Sequence, residues 1–274
     1  MRRRQWLAAG CGLVAAGATL AWLWSNAGLI EDALLETPEA YPISTAPPYV
    51  VALDAGHGGN DSGACSGQAK ETLLCEQTVD ALYRLLAEDA FFKPVRTREN
   101  GQDSSIQKRV DRVAEQRAAV LLSIHMNSDP STAQSHGFEC FPTPPGRKWS
   151  EDSMKLAAAI ADQMGQAGHR LRGSSGIRFA YYSGKRKLIV DAEDSRERTL
   201  KSFGILENSP CPAVLAEQCF ITNSADRAAW TGTEGSEKAA DAYYRGLCAY
   251  FGLEPYAART PPQPTPPPVT ESWP

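Results

Sequence analysis

Three short runs in this chain, Val50-Val51-Ala52-Leu53, Val120-Leu121-Leu122-Ser123-Ile124 and Ala213-Val214-Leu215-Ala216, are apolar almost without a break. A strand with one wet face alternates apolar and polar side chains. An unbroken run therefore needs cover on both faces, which a sheet obtains when helices lie above and below it. Periodicity and breakers predict strands over 49–54, 92–97, 119–125, 137–142 and 211–217, interleaved with helices over 71–88, 104–118, 150–166 and 234–251. That order implies an α/β fold, a single domain with a mixed, mostly parallel central sheet and helices on both faces.

The chain is long enough for such a core, since 274 residues with 42% hydrophobic content can bury one without help from disulfides or metals. The domain is expected over residues 49–254. Ahead of it, Met1-Arg2-Arg3-Arg4 precedes an uncharged stretch from Gln5 to Ile30, as in an export signal or a membrane anchor over residues 1–27. Ser25-Asn26-Ala27 has the small-residue spacing of a cleavage site, and the expected location is the periplasm or cell envelope, with membrane anchoring if the leader is kept. Residues 28–48, with Glu31, Asp32, Glu36 and Glu39, read as an acidic linker, and residues 255–274 as a Pro-rich tail that cannot pack as helix or central strand.

Without the three arginines of residues 1–27 the chain carries 25 basic against 32 acidic side chains, a balance of −7, which argues against a nucleic-acid partner. A monomer is expected. Six cysteines follow the leader; an oxidising compartment permits them to pair, but the sequence selects no connectivity, and no tight Cys pair suggests a thiolate metal site.

Each of the three apolar runs leads into a residue able to bind a metal or move a proton: His57 in the loop Asp54-Ala55-Gly56-His57-Gly58-Gly59, then His125, then Glu217. Ligands of open α/β sheets sit at the carboxyl ends of the strands, which is where these three fall. Glu71 opens a helix whose positions 71, 75, 78, 82 and 85 read Glu, Cys, Thr, Leu and Leu, so the carboxylate heads the stripe that faces the core. An unpaired charge there would cost several kcal/mol, and a bound cation would offset the cost. Each residue also has a plain alternative. His57 can be incidental to a tight turn, Glu71 a solvated charge in a first helical turn, His125 a hydrogen-bonded core histidine, and Glu217 a buried partner of Arg98 or Arg109. His136 and His169 have no strand behind them and read as surface residues. The glycines of residues 56–59 lack the spacing of a phosphate-binding loop.

In combination and in order, the landmarks resemble the zinc-dependent N-acetylmuramoyl-L-alanine amidases of the amidase-3 family. They are Leu53-Asp54-Ala55-Gly56-His57-Gly58-Gly59-Asn60-Asp61-Ser62-Gly63-Ala64, Lys70-Glu71, Thr97-Arg98, Arg109, Ser123-Ile124-His125-Met126-Asn127, Gly137-Phe138-Glu139 and Pro212 to Asn223. The resemblance spans about Val50 to Phe251. It implies that His57, Glu71 and His125 hold Zn²⁺ and that Glu217 is the catalytic carboxylate. It further implies that the substrate is peptidoglycan, cut between the lactyl group of N-acetylmuramic acid and L-alanine. Asn127, at the same edge, is a candidate substrate contact. A zinc peptidase that cuts stem peptides with the same ligands, and a non-catalytic wall-binding protein, are the competing classes. The charged stretch Lys185 to Arg198 falls in an insertion relative to the family pattern, read either as a gate at the cleft that awaits a protein activator or as a solvated excursion.

Overall fold

A computed structural model describes residues 43–256. The expected leader, residues 28–42 of the linker and the tail from residue 257 lie outside the described residues. Among those described, no helix is long and apolar enough to cross a membrane.

Five strands form the central sheet in the spatial order β4-β1-β5-β9-β6, where β1 is Tyr49–Ala55, β4 Phe92–Arg96, β5 Val120–Asn127, β6 Glu139–Pro142 and β9 Ala213–Phe220. β1, β4, β5 and β9 run parallel, and β6 closes the edge antiparallel to β9. The mixed, mostly parallel sheet is thus present. Its central strands are covered on both faces, as their unbroken apolar runs require: every residue of β9 is buried.

Strand parity sorts the core into two layers. Leu53, Leu122, Ile124 and Ala216 face α1 (Glu71–Glu88), α3 (Ser150–Gln166) and α6 (Gly232–Tyr250), while Ala52, Leu121 and Leu215 face α2 (Ile106–Glu115) and the short α4 (Gly204–Glu207). Alternation then puts Ser123, His125 and Glu217 on the α2 side. Past His125 the β5–β9 register shifts by one, so that Asn127 pairs with Phe220.

The helix expected over 104–118 is shorter at both ends. Ser105 caps it, accepting a hydrogen bond from the Lys108 amide at 3.3 Å, and Arg117 ends the turn beyond it with φ +53°. Short elements absent from the sequence reading are the two-residue strands β2 (Cys65–Ser66) and β3 (Ala69–Lys70), the hairpin β7 (Arg178–Ser183) and β8 (Arg186–Asp191), α4, and α5 (Ser224–Trp230). The hairpin occupies the first half of the insertion and runs beside β6, where Cys140 bridges to Ile177, with Phe179 and Tyr181 buried.

His169 is not a surface residue. It is 6% exposed, stacks on Trp230 with ring centroids 3.9 Å apart, and donates from Nε2 to the Gln218 carbonyl at 2.7 Å. Its neighbours come from β9 and α5, far away in sequence, so local context gave no sign of them. His136 is exposed, as expected. The six cysteines of the described residues are free thiols, five of them buried.

Candidate metal centre

The loop after β1 delivers His57 in the left-handed region, φ +60°, a conformation that a β-carbon disfavours and that surrounding contacts must hold. Arg109 supplies much of that hold. Its guanidinium donates to the carbonyl of His57, to the carbonyl of Ala55 at 2.8 Å and to Asp54 at 3.0 Å. Asp54, buried at the end of β1, also accepts from Thr97 and from Ser123 at 2.6 Å. Arg98 braces the same loop through the carbonyls of Ala55 and Gly56, each at 3.0 Å, while pairing with Glu76 at 2.6 Å. Arg98 and Arg109, the two candidate partners of Glu217, are therefore committed elsewhere.

Two glycines make room for the ligands. A β-carbon on Gly56 would lie 2.5 Å from the His125 ring, and one on Gly63 would lie 2.6 Å from both Glu71 Oε2 and the His57 ring.

Glu71 sits between the two imidazoles. Its Oε1 lies 3.0 Å from His57 Nε2 and 3.0 Å from His125 Nδ1 and accepts from the Met126 amide at 3.1 Å; its Oε2 accepts from the Ala64 amide at 2.8 Å. Burial works against this carboxylate's charge, but the hydrogen bonds from His125 and His57 win and hold it well below the usual range. The hydrogen bond to Glu71, opposed by burial and helped by Asp61, raises His57 to about 9. One ligand atom from each of His57, Glu71 and His125 lies within 4.8 Å of the others. Two imidazole nitrogens and a carboxylate oxygen so disposed suit a zinc-like divalent ion with an open fourth position. His57 meets a further requirement of such sites: its Nδ1 is hydrogen-bonded to Asp61 at 2.8 Å, which orients the ring.

Glu217 is the register partner of His125 on one side and of Glu139 on the other, so the three side chains form a row across adjacent strands. Their fates differ. Glu139 accepts from Arg172 at 3.0 Å, Arg178 at 2.8 Å and Asn127 at 2.7 Å, and its charge is spent. Glu217 is 7% exposed, and its Oε2 has no hydrogen-bond partner among the described residues. Burial pushes its carboxyl above the ordinary range, against the pull of His125. A buried acid with a free oxygen beside the His125 imidazole is suited to accept and give up a proton. All five residues singled out in the sequence lie at this edge, with Asn127 joined to the row through Glu139. Asp61 and the arginine pair on Glu139 had no role in the sequence reading; the only available sign was an aspartate four residues after His57 in the same turn.

The centre opens onto a cleft of about 350 Å³ lined by His57, Asp61, His125, Ile106, Phe203 and Leu215 among others. The side chains of His57 and His125 are 25% and 19% exposed.

The chain resembles known proteins over most of its length. The family model described as N-acetylmuramoyl-L-alanine amidase, Amidase_3, matches residues 51–249. The chain is 29% identical over 232 residues to the uncharacterized protein YqiI of Bacillus subtilis, covering 84% of this chain and 98% of that one. It is 28% identical over 202 residues to the N-acetylmuramoyl-L-alanine amidase LytC of the same species, covering 73% of this chain but only 35% of LytC. Among solved structures, the catalytic domain of the amidase CwlV from Bacillus (Paenibacillus) polymyxa superposes with a TM-score of 0.60 at 24% identity, over 75% of this chain and 99% of CwlV. An amidase from Clostridium difficile 630 gives 0.62 at 24% identity, over 76% and 98%.

Proposed function

Given that the chain belongs to the N-acetylmuramoyl-L-alanine amidase family, we propose that it is a zinc-dependent peptidoglycan hydrolase. It cuts the amide between the lactyl group of N-acetylmuramic acid and the L-alanine of the stem peptide, with Glu217 as general base and acid. The observation that carries this reading is the pairing of a three-residue ligand set with one buried, unpartnered carboxylate in the adjacent register position.

His57, Glu71 and His125 are the residues to hold zinc, which when bound supplies Lewis-acid activation of water and of the scissile carbonyl. The chain's own groups do the rest. Glu217 takes a proton from the attacking water on its free Oε2 and returns it to the departing nitrogen of the stem, a transfer suited to a carboxyl raised above its ordinary range. Asp61 keeps Nε2 of His57 directed at Glu71. Asn127 is a substrate contact in this reading: it gives one amide hydrogen to Glu139 and accepts from the Ser128 amide, which leaves one hydrogen and one lone pair for a ligand.

Family membership and the leader-like residues 1–27 support export to the periplasm or cell envelope. A protein activator is a further part of the proposal; one structural neighbour, the CwlD amidase of Clostridioides difficile, was solved in complex with the GerS lipoprotein. The decisive test is digestion of purified peptidoglycan with and without a chelator, alongside Glu217→Ala. Release of intact stem peptides by the metal-loaded protein alone supports the reading; fragments cut within the stem would point to a peptidase instead.

A further inference from the structure

The β7–β8 hairpin does more than fill space beside β6. Tyr182 and Lys187 are register partners across it, so both project from one face. That face meets Phe203, a residue of the cleft wall: the Tyr182 ring packs edge-on against it at 5.8 Å, and the Lys187 ammonium lies 4.7 Å from its centroid and 5.5 Å from that of Phe141. Among the described residues Lys187 is held by these rings and by no carboxylate. It is nonetheless near enough to Glu217 for its charge to act there. A lysine fixed over aromatic faces keeps its charge and its donors available to a ligand.

The chemistry of the substrate says which ligand. Once its carboxyl group is tied up in the amide, N-acetylmuramic acid is uncharged, so the anions within reach of the scissile bond belong to the stem peptide. Glu217 delivers its proton to the departing amine, and the stem therefore leads away on the Glu217 side of the cleft, towards the hairpin. We propose that Lys187 is a specificity-determining residue that pairs with a carboxylate of the stem peptide as it lies along the Phe203 wall. The inference rests on the amidase reading above.

The test compares two muramoyl peptides that differ only in whether the stem carboxylates are free or converted to carboxamides, with purified, zinc-loaded full-length chain. Wild type should favour the free acid in kcat/KM by about five- to tenfold, mainly through KM, as expected for one partly exposed ion pair. Lys187→Gln should abolish the preference by raising KM for the free acid, Lys187→Arg should keep it, and Lys187→Glu should reverse it. Equal preference in wild type and Lys187→Gln, or equal loss on both substrates with Lys187→Gln, would overturn the proposal. Cleavage of both substrates within the stem, rather than at the lactyl amide, would instead count against the amidase reading itself.

Discussion

Oδ2 of Asp61 stands 2.8 Å from Nδ1 of His57, so the imidazole is gripped by its outer nitrogen while Nε2 faces Glu71 at 3.0 Å. Asp61 itself is tied by the Gly63 amide at 3.0 Å, which makes the brace part of the loop. Asp61→Ala frees the ring to rotate and should weaken zinc binding about 10- to 100-fold, the usual cost of losing such a partner. Competition against a fluorescent zinc chelator reads this directly, and unchanged affinity would remove Asp61 from the site.

Glu217→Gln should separate chemistry from metal binding. The amide cannot carry the proton, and turnover should fall about 10²- to 10⁴-fold. Zinc content should stay at the wild-type level, because Glu217 is not among the three converging ligands. Thermal stability should hold or rise, since a neutral group replaces a buried acid that lacks a partner. Loss of zinc together with activity would mean that Glu217 is a ligand.

Gly56→Ala probes the packing beneath His125. The added methyl group would meet the ring at 2.5 Å, and the ring cannot retreat without breaking its hydrogen bond to Glu71. A destabilisation of about 1–3 kcal/mol is expected from such overpacking, with reduced zinc stoichiometry. Calorimetry and metal analysis on the same sample test both.

His169 makes stability depend on pH away from the metal centre. Burial against Trp230 lowers its pKa from 6.5 to about 4, so the folded state resists a proton that the unfolded state accepts. Its contribution is complete above pH 6.5 and is lost as the pH falls towards 4, amounting to about 3 kcal/mol for a shift of this size. His169→Phe keeps a ring on Trp230 without the titrating group. The difference in urea unfolding free energy between wild type and variant, both metal-free, should change across that window and be flat above pH 7.

The parts of this molecule that depend on neighbours in sequence were legible from it. Unbroken apolar runs at 50–53, 120–124 and 213–216 announced strands covered on both faces, and the helical stripe below Glu71 announced its burial. His57, His125 and Glu217 converge because parallel strands bring their carboxyl ends to one edge, a rule of topology that needs no coordinates. What stayed hidden depends on pairing across the chain. His169 lies against Trp230 only because α5 follows β9, and Glu139 takes up two arginines that come from beyond α3. The charges of residues 185–198 suggested solvent or a gate, whereas the paired strand β7 behind them is what fixes the segment to the edge of the sheet.

Glu71 heads α1, and α1 lies against α6 on the far layer of the core, while His57 and His125 arrive from the tips of β1 and β5. An ion shared by the three would knit a loop, a helix and a strand that no disulfide joins. The domain's melting temperature should then track the free zinc of its compartment, and scarcity of metal would silence the protein by loosening its architecture as well as by withdrawing its chemistry.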